Sequence, residues 1–249
     1  MIKIENVNVY GWEAAIRGMR NPLDSWNKSD SVWCEHLGYE ECIGCYAYYD
    51  DKCHGIQPEK KQLIDFVIGE KDMDLMQRLI RGGSEHRKFM RQIFVSVDIT
   101  APMYLWSELD TYKIGTVANS TSKMHKIATT PITIDCFETD DLETKFSLSL
   151  KDGIEPSISQ WTNSIIDGCE FLRQKYLETK DKRYWKELIR WLPESWLQTR
   201  TWTANYEVLR NIVHQRKGHK LTEWQSFIDW VHTLPYAEEL IFWEDNNEG

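Results

Sequence analysis

Residues 92–102 read Gln-Ile-Phe-Val-Ser-Val-Asp-Ile-Thr-Ala-Pro, with an aliphatic side chain at every second position. A period of two places Ile93, Val95, Val97 and Ile99 on one face of a strand, which is typical of a sheet with one buried face. Ala101-Pro102 is expected to end this strand, because proline cannot donate a hydrogen bond to a neighbouring strand. This stretch makes a sheet the organising element of the fold.

Other periodic segments surround this strand. Alternation over residues 2–9 predicts another strand with one buried face. Helical spacing of apolar residues predicts helices over residues 11–20, 72–80, 103–109, 152–176, 182–191, 203–214 and 223–231. Because strands and helices do not alternate regularly, the order favours an α+β fold over a doubly wound sheet.

Length and composition set the expected domain organisation and location. A chain of 249 residues predicts a single domain over residues 1–249, in which residues 23–58 form an irregular, Cys-rich insertion. The formal charge of −9 argues against DNA and anionic membranes as partners. Residues 1–10 lack the apolar core of a signal peptide, so we expect a cytoplasmic protein. The 12 tryptophans indicate either a well-filled aromatic core or aromatic-lined clefts and contact surfaces.

Four cysteines lie in the predicted insertion, at Cys34, Cys42, Cys45 and Cys53. A Cys-x-x-Cys step lets two thiolates reach one tetrahedral zinc ion, and a further pair could complete a structural site. The spacings of seven residues are unlike common zinc-finger patterns, and free cysteines are ordinary in cores. The sequence therefore leaves open a structural zinc or reduced thiols, and it predicts no catalytic metal.

Elemental analysis separates these two alternatives. A structural zinc predicts about one metal ion per chain, held by four thiolates. A folded, metal-free preparation in which mild labelling finds four free thiols in residues 34–53 would contradict the zinc site.

Known catalytic motifs are missing from the sequence. No glycine-rich phosphate loop and no nucleophile elbow occurs, so no catalytic nucleophile is assigned.

Two segments nevertheless carry many polar and basic groups. Residues 110–125, directly after the best strand and predicted helix, combine hydroxyls and an amide with two lysines, Lys113 and Lys123, which suits phosphate and base-edge hydrogen bonding. On the second segment, residues 205–216, Asn205 and Arg216 share one face with apolar residues, which suits either a ligand or a capped, solvated helix.

Together these segments resemble the flavin-dependent thymidylate synthases. The family signature Arg-His-Arg-x-x-Ser-x-Asn-Glu-x-Ser-x-Arg, preceded by a strand ending in Ala-Pro, is similar to Thr111-Tyr112-Lys113-x-x-Thr116-x-Ala118-Asn119-x-Thr121-x-Lys123 after Ala101-Pro102. The second family block is similar to Leu192-Pro193 followed by residues 202–211 and Arg216. The resemblance covers about residues 75–230 and implies an α+β fold with a central antiparallel sheet packed with helices.

The resemblance also implies a function and a set of site residues. Family members are homotetramers that bind FAD, dUMP, a reduced nicotinamide (NADPH) and methylenetetrahydrofolate, and they methylate the pyrimidine C5 reductively. The pyrimidine deoxynucleotide would be bound by Arg216, Lys123, Thr121 and Glu108. The flavin would be bound by Tyr112, Lys113, Thr116, Asn119, Asn205 and Asn211.

Three departures from the family weaken the expected flavin site. Thr111 and Lys113 replace the two arginines of the signature, and Glu207 replaces an arginine that meets the flavin in the family. We therefore expect FAD to bind weakly, or its phosphates to be held by another cation such as Arg87, Lys88 or Arg91. A non-catalytic nucleotide-binding protein on the same scaffold is the second hypothesis, and a structural or interaction protein is the third.

Overall fold

The computed structural model describes residues 2–33, 56–57, 62–63, 66–140 and 156–243. Its strands are β1 (Lys3–Tyr10), β2 (Val32–Trp33), β3 (Ile56–Gln57), β4 (Gln62–Leu63), β5 (Phe66–Val67), β6 (Phe94–Pro102), β7 (Val117–Ser120) and β8 (Leu197–Asn205). Its α-helices are α1 (Trp12–Arg20), α2 (Glu70–Arg81), α3 (Met103–Leu109), α4 (Lys123–Lys126), α5 (Ile158–Thr179), α6 (Lys182–Trp191), α7 (Tyr206–Arg216), α8 (Thr222–His232) and α9 (Ala237–Leu240). The cysteines of the predicted zinc site lie outside the described residues.

The main sheet has the strand order β1-β6-β8-β7, so its neighbouring strands come from distant parts of the sequence. Two short antiparallel pairs lie outside it, with Val32 of β2 opposite Val67 of β5 and Ile56 of β3 opposite Leu63 of β4. Helices combined with an antiparallel sheet confirm the predicted α+β class.

Strand β6 follows its sequence pattern closely. Ile93, Val95, Val97 and Ile99 are at most 1% exposed, so the alternating aliphatic face is the buried one. Pro102 is the last residue of the strand, and α3 begins at the next residue. The strand end and the helix after it are where the sequence predicts them.

The predicted helix over residues 203–214 is wrong at its beginning. Strand β8 continues through Asn205, and helix α7 starts only at Tyr206. The side chain of Asn205 accepts a hydrogen bond from the backbone N–H of Val208, which is the contact that starts a helix. Strand β8 was not predicted, because Gln198 and Arg200 interrupt the alternation of apolar residues that indicates a strand.

Gly11 makes the turn between β1 and α1. Its φ is +100°, a left-handed conformation, and a Cβ there would lie 2.0 Å from the carbonyl oxygen of Gln92. Only glycine fits both conditions.

The chain divides into two compact units, which are described separately. The first unit comprises Met1–Glu5, Asp98–Lys113 and Ala118–Trp202, and the second comprises Asn6–Val97, Ile114–Val117 and Thr203–Gly249. The single domain and its insertion stay a prediction.

Helices α5 and α6 pack against each other in the first unit. Helix α5 begins with a capping box, in which Ser157 and Gln160 exchange side-chain-to-backbone hydrogen bonds. Ile166 and Cys169 of α5 and Leu188 of α6 form a buried cluster with Ile127, Ile132 and Phe137.

Aromatic side chains form much of the core of the second unit. Trp12 packs edge-on against Tyr206 and Tyr236, with ring centroids 5.3 and 5.4 Å apart. The Tyr236 hydroxyl donates to the carbonyl of Phe66 and accepts from the backbone N–H of Ile68. A filled aromatic core therefore accounts for part of the tryptophan content.

None of the helices in the described ranges combines the length and apolar character that crossing a membrane requires.

Candidate functional site

The 110–125 segment lies largely on the surface. All four residues of β7 are exposed, and Asn119 is among them. Hydrogen bonds in the first unit hold the end of this segment on β8, because Thr121 N donates to the carbonyl of Thr199 at 2.9 Å and Gln198 Nε2 donates to the carbonyl of Thr121 at 2.7 Å. The exposed polar side chains are thus presented on a fixed backbone.

The two lysines of this segment are available to a ligand. Within the part of the chain that the structure describes, neither Lys113 nor Lys123 makes an ion pair or a side-chain hydrogen bond. Lys113 is exposed and Lys123 half-buried. An anionic ligand at either lysine would not have to displace a protein partner.

The turn before β7 is less accessible. Thr111 donates its hydroxyl hydrogen to the carbonyl of Glu108 at 2.7 Å, which closes the end of α3. Glu108 and Tyr112 are half-buried, and Thr111 is exposed. The side chain of Thr111 therefore stabilises the turn that follows α3.

Arg200 is a buried cation that the sequence patterns do not reveal. Its guanidinium lies 2.8 Å from the Asp110 carboxylate and stacks 4.3 Å from the ring centroid of Trp106, and its side chain is 11% exposed. Its Nε donates to Gln198 Oε1 at 3.0 Å. No sequence pattern marks this residue, because the strand that contains it is not predicted from the sequence. Its partners fix β8 to α3 within the first unit.

Asn205 has a structural explanation for its burial. It is 6% exposed, and its Oδ1 accepts the Val208 N–H at 3.0 Å as the cap of α7. Its Nδ2 lies 2.9 Å from the position of a Cβ on Gly115, whose φ of +80° also requires glycine. In the second unit Asn205 thus brings the loop that contains Gly115 and Thr116 against the start of α7.

Glu207 forms an ion pair with Arg87 in the second unit. Arg87 Nε lies 2.8 Å from Glu207 Oε2, and the two side chains are 18% and 8% exposed. The carboxylate at the position that the resemblance aligns with a family arginine is therefore neutralised, and its partner is one of the three cations expected to hold the FAD phosphates. Lys88 and Arg91 have other contacts, since Lys88 lies 3.5 Å from Glu85 and Arg91 donates to the Ser84 carbonyl.

The remaining predicted residues of α7 lie toward its other end. Asn211 is exposed, and the half-buried guanidinium of Arg216 lies 4.7 Å from the ring centroid of Trp224. Eleven residues of helix separate Asn205 from Arg216, a rise of about 16 Å. The two residues can contact one ligand only if it is extended, as a dinucleotide is. Across the described ranges, no three His, Cys, Asp or Glu side chains are grouped closely enough to hold a metal ion.

No family model and no curated protein matches the sequence. Solved structures do match. Thymidylate Synthase X from Helicobacter pylori, solved with FAD and dUMP, is 16% identical, with 97% of each chain covered and a TM-score of 0.60. The UMP/dUMP methylase PolB from Streptomyces cacaoi, bound with 5-Br dUMP, is 14% identical, with 97% of this chain and 95% of that chain covered and a TM-score of 0.54. The chain therefore has the fold of the flavin-dependent thymidylate synthases.

Proposed function

We propose that the chain is an FAD-dependent enzyme that methylates a pyrimidine deoxynucleotide such as dUMP at C5. The observation that carries this proposal is the 110–125 segment, which presents uncompensated cations and exposed hydroxyls on this fold. Structures with the same fold were solved with FAD, dUMP or 5-Br dUMP. The proposal extends to NADPH and methylenetetrahydrofolate as co-substrates, to a cytoplasmic homotetramer, and to a single domain over residues 1–249.

The donor set in the described residues fits a phosphate-bearing ligand. Lys123 and Arg216 would bind the phosphate or the base of the nucleotide, Thr121 would donate a hydrogen bond to it, and Glu108 would also contact it. The flavin would lie against Tyr112, Lys113, Thr116, Asn119, Asn205 and Asn211.

The flavin, once reduced by NADPH, would supply the hydride for methylation. The protein's own contribution is binding and orientation, which requires no nucleophile of the chain. Lysines provide charge without the bidentate fork of arginine, so this donor set predicts looser positioning of phosphate oxygens than arginines would give.

A nucleotide-binding protein without flavin is the second candidate function. The Arg87–Glu207 pair favours it, because a neutral ion pair stands where the family has a cation that meets the flavin.

Absorbance and thermal unfolding of the purified protein distinguish the two candidates. A flavin spectrum, with thermal stabilisation by dUMP, supports the enzyme. Stabilisation by dUMP in a colourless protein that FAD does not stabilise supports the second candidate. A protein that neither FAD nor dUMP stabilises would contradict both.

The substitution Arg216→Ala is expected to weaken dUMP binding about ten- to a hundredfold, because one charge-assisted hydrogen bond is lost. We expect the fold to stay nearly intact, and the lost stacking of Arg216 on Trp224 contributes about 0.5–1 kcal/mol at a partly exposed site. Calorimetric titration with dUMP measures the effect. Arg183→Ala, which removes a guanidinium whose side chain is 91% exposed, is the matched control. Equal dUMP affinity of wild type and Arg216→Ala would mean that Arg216 does not bind the nucleotide.

A further inference from the structure

A cavity of about 300 Å³ lies in the second unit, and none of the residues that line it is among those discussed so far as ligand contacts. Its walls include Trp26, Trp33 and Phe66, and Glu13, Arg17 and Arg20 of α1 also line it. We call it the indole pocket. Its volume is at the lower end of the range of small-molecule sites in proteins.

A buried hydrogen-bond network fixes the wall that carries the tryptophans. Asp72, which is fully buried, accepts the hydroxyl hydrogens of Ser29 and Ser31 at 2.6 Å each, together with the backbone N–H groups of Asp30 and Ser31. Arg20 Nε donates to the same carboxylate at 2.6 Å. Residues 29–31, which lie between the two tryptophans, are therefore held in place before any ligand arrives.

The tryptophans of the pocket are unusually exposed for side chains of their size. Trp26 is 49% and Trp33 is 54% exposed. Both are nevertheless held, since Trp26 Nε1 donates to Asn21 Oδ1 at 2.8 Å and Trp33 packs edge-on against Phe66 at 5.0 Å. Large aromatic surface that is fixed and left in water is typical of sites that bind another aromatic or apolar group.

The charged groups of the pocket define the polar part of its ligand. Arg17 makes no ion pair and no side-chain hydrogen bond within the described residues, and Arg20 is compensated by Asp72. The carboxylate of Glu13 is four residues from Arg17 on the same helix and is an acceptor at the pocket. The pocket thus offers an uncompensated guanidinium, an acceptor and aromatic walls.

We propose that the indole pocket binds a flat heteroaromatic ring that carries a carboxylate. The ring packs on Trp26 and Trp33, the carboxylate pairs with Arg17, and a donor on the ring edge can reach Glu13. The proposal is independent of the proposed function, because the pocket shares no residue with the proposed nucleotide and flavin contacts.

Three probe molecules distinguish the contribution of the flat ring to binding from that of the carboxylate. Quinoline-2-carboxylate carries both the flat ring and the charge, quinoline lacks the carboxylate, and cyclohexanecarboxylate lacks the flat ring. Calorimetric titration of the full chain is expected to detect quinoline-2-carboxylate as the tightest of the three.

Substitutions locate the binding in the pocket. Trp26→Ala and Trp33→Ala should each weaken binding of quinoline-2-carboxylate about two- to tenfold, the usual range for an aromatic contact. Arg17→Met keeps the aliphatic stem and should weaken it about two- to fivefold, as for an exposed ion pair. Trp191→Ala, at a tryptophan that is 66% exposed in the first unit, should leave the affinity unchanged.

Three results would overturn the proposal. The first is no binding of quinoline-2-carboxylate to the wild-type chain, and the second is equal affinity for all three probes. The third is loss of affinity in Trp191→Ala as large as in Trp26→Ala and Trp33→Ala. Saturating dUMP should not displace quinoline-2-carboxylate, so that failure of this proposal and failure of the proposed function give different results.

Discussion

The substitution Asp72→Ala is expected to lower the free energy of unfolding by about 3–5 kcal/mol, the usual result of removing one partner of a buried ion pair. It leaves the guanidinium of Arg20, whose side chain is 5% exposed, without its carboxylate. It also leaves the hydroxyls of Ser29 and Ser31 without their acceptor. Urea unfolding of the full chain measures the change.

Asp74→Ala is a matched control on the same helix. Asp74 pairs with Arg78 at the surface, where the two side chains are 66% and 59% exposed. Exposed pairs of this kind contribute about 0–1 kcal/mol. If Asp72→Ala costs no more than Asp74→Ala, the buried network does not hold the segment around residues 29–31.

Asp72→Ala should also change how the stability of the protein depends on pH. Burial alone would raise the pKa of Asp72, but hydrogen bonds from Ser29, Ser31 and Arg20 outweigh it and lower the pKa below its usual value. A lowered pKa means that the unfolded chain binds the proton more readily, so the stabilisation is complete above the usual carboxyl pKa and is lost as the pH falls. The hydrogen bonds from Arg173 lower the pKa of Glu170 to about 2 in the same way. We therefore expect wild type to lose stability from about pH 5 downward, and Asp72→Ala to lose less over that range.

Local patterns predicted the parts of the fold that depend on neighbours in sequence. The aliphatic alternation of β6 is buried as expected, because one face of that strand carries no polar residue. Helix α6 has the predicted bounds, Lys182–Trp191, since its amphipathic period is uninterrupted. Strand β8 could not be found in this way, because its polar residue Gln198 is buried through a hydrogen bond with the distant Thr121.

In the candidate site, too, contacts between residues that are distant in sequence could not be predicted. The pattern around Asn205 suits either a ligand contact or a helix cap, and in the structure its Oδ1 accepts the hydrogen bond of a cap. The pairing of Glu207 with Arg87 joins residues that are 120 positions apart. No periodicity or motif records such a contact, so the sequence predicts the change of charge at Glu207 but not its compensation.

The ion pair between Arg87 and Glu207 changes the expected effect of a substitution at Glu207 on FAD binding and on stability. The sequence alone predicts that Glu207→Arg, which restores the family residue, strengthens FAD binding. In the structure the new guanidinium would face Arg87 in a site where both side chains are largely buried. We therefore expect Glu207→Arg to lose about 3 kcal/mol of stability or more, and the double variant Arg87→Glu/Glu207→Arg to recover most of it.

Glu207→Gln tests the flavin contact without that repulsion. Glutamine keeps an oxygen that can accept the hydrogen bond from Arg87 Nε, while the charge that neutralises Arg87 is removed. One uncompensated positive charge near the phosphates of FAD is expected to tighten binding about tenfold, which corresponds to about 1.4 kcal/mol. Quenching of FAD fluorescence on titration with protein measures the dissociation constant.

Glu85→Gln is the control for the change in net charge. It removes the same charge from a carboxylate that is 80% exposed and lies beside Lys88. Its effect on FAD binding should be small, because water and salt screen an exposed charge. A tenfold gain confined to Glu207→Gln would place Arg87 at the phosphates of FAD. Equal gains in both variants would mean that overall charge alone is responsible, and no gain in either would mean that Arg87 and Glu207 form a purely structural pair.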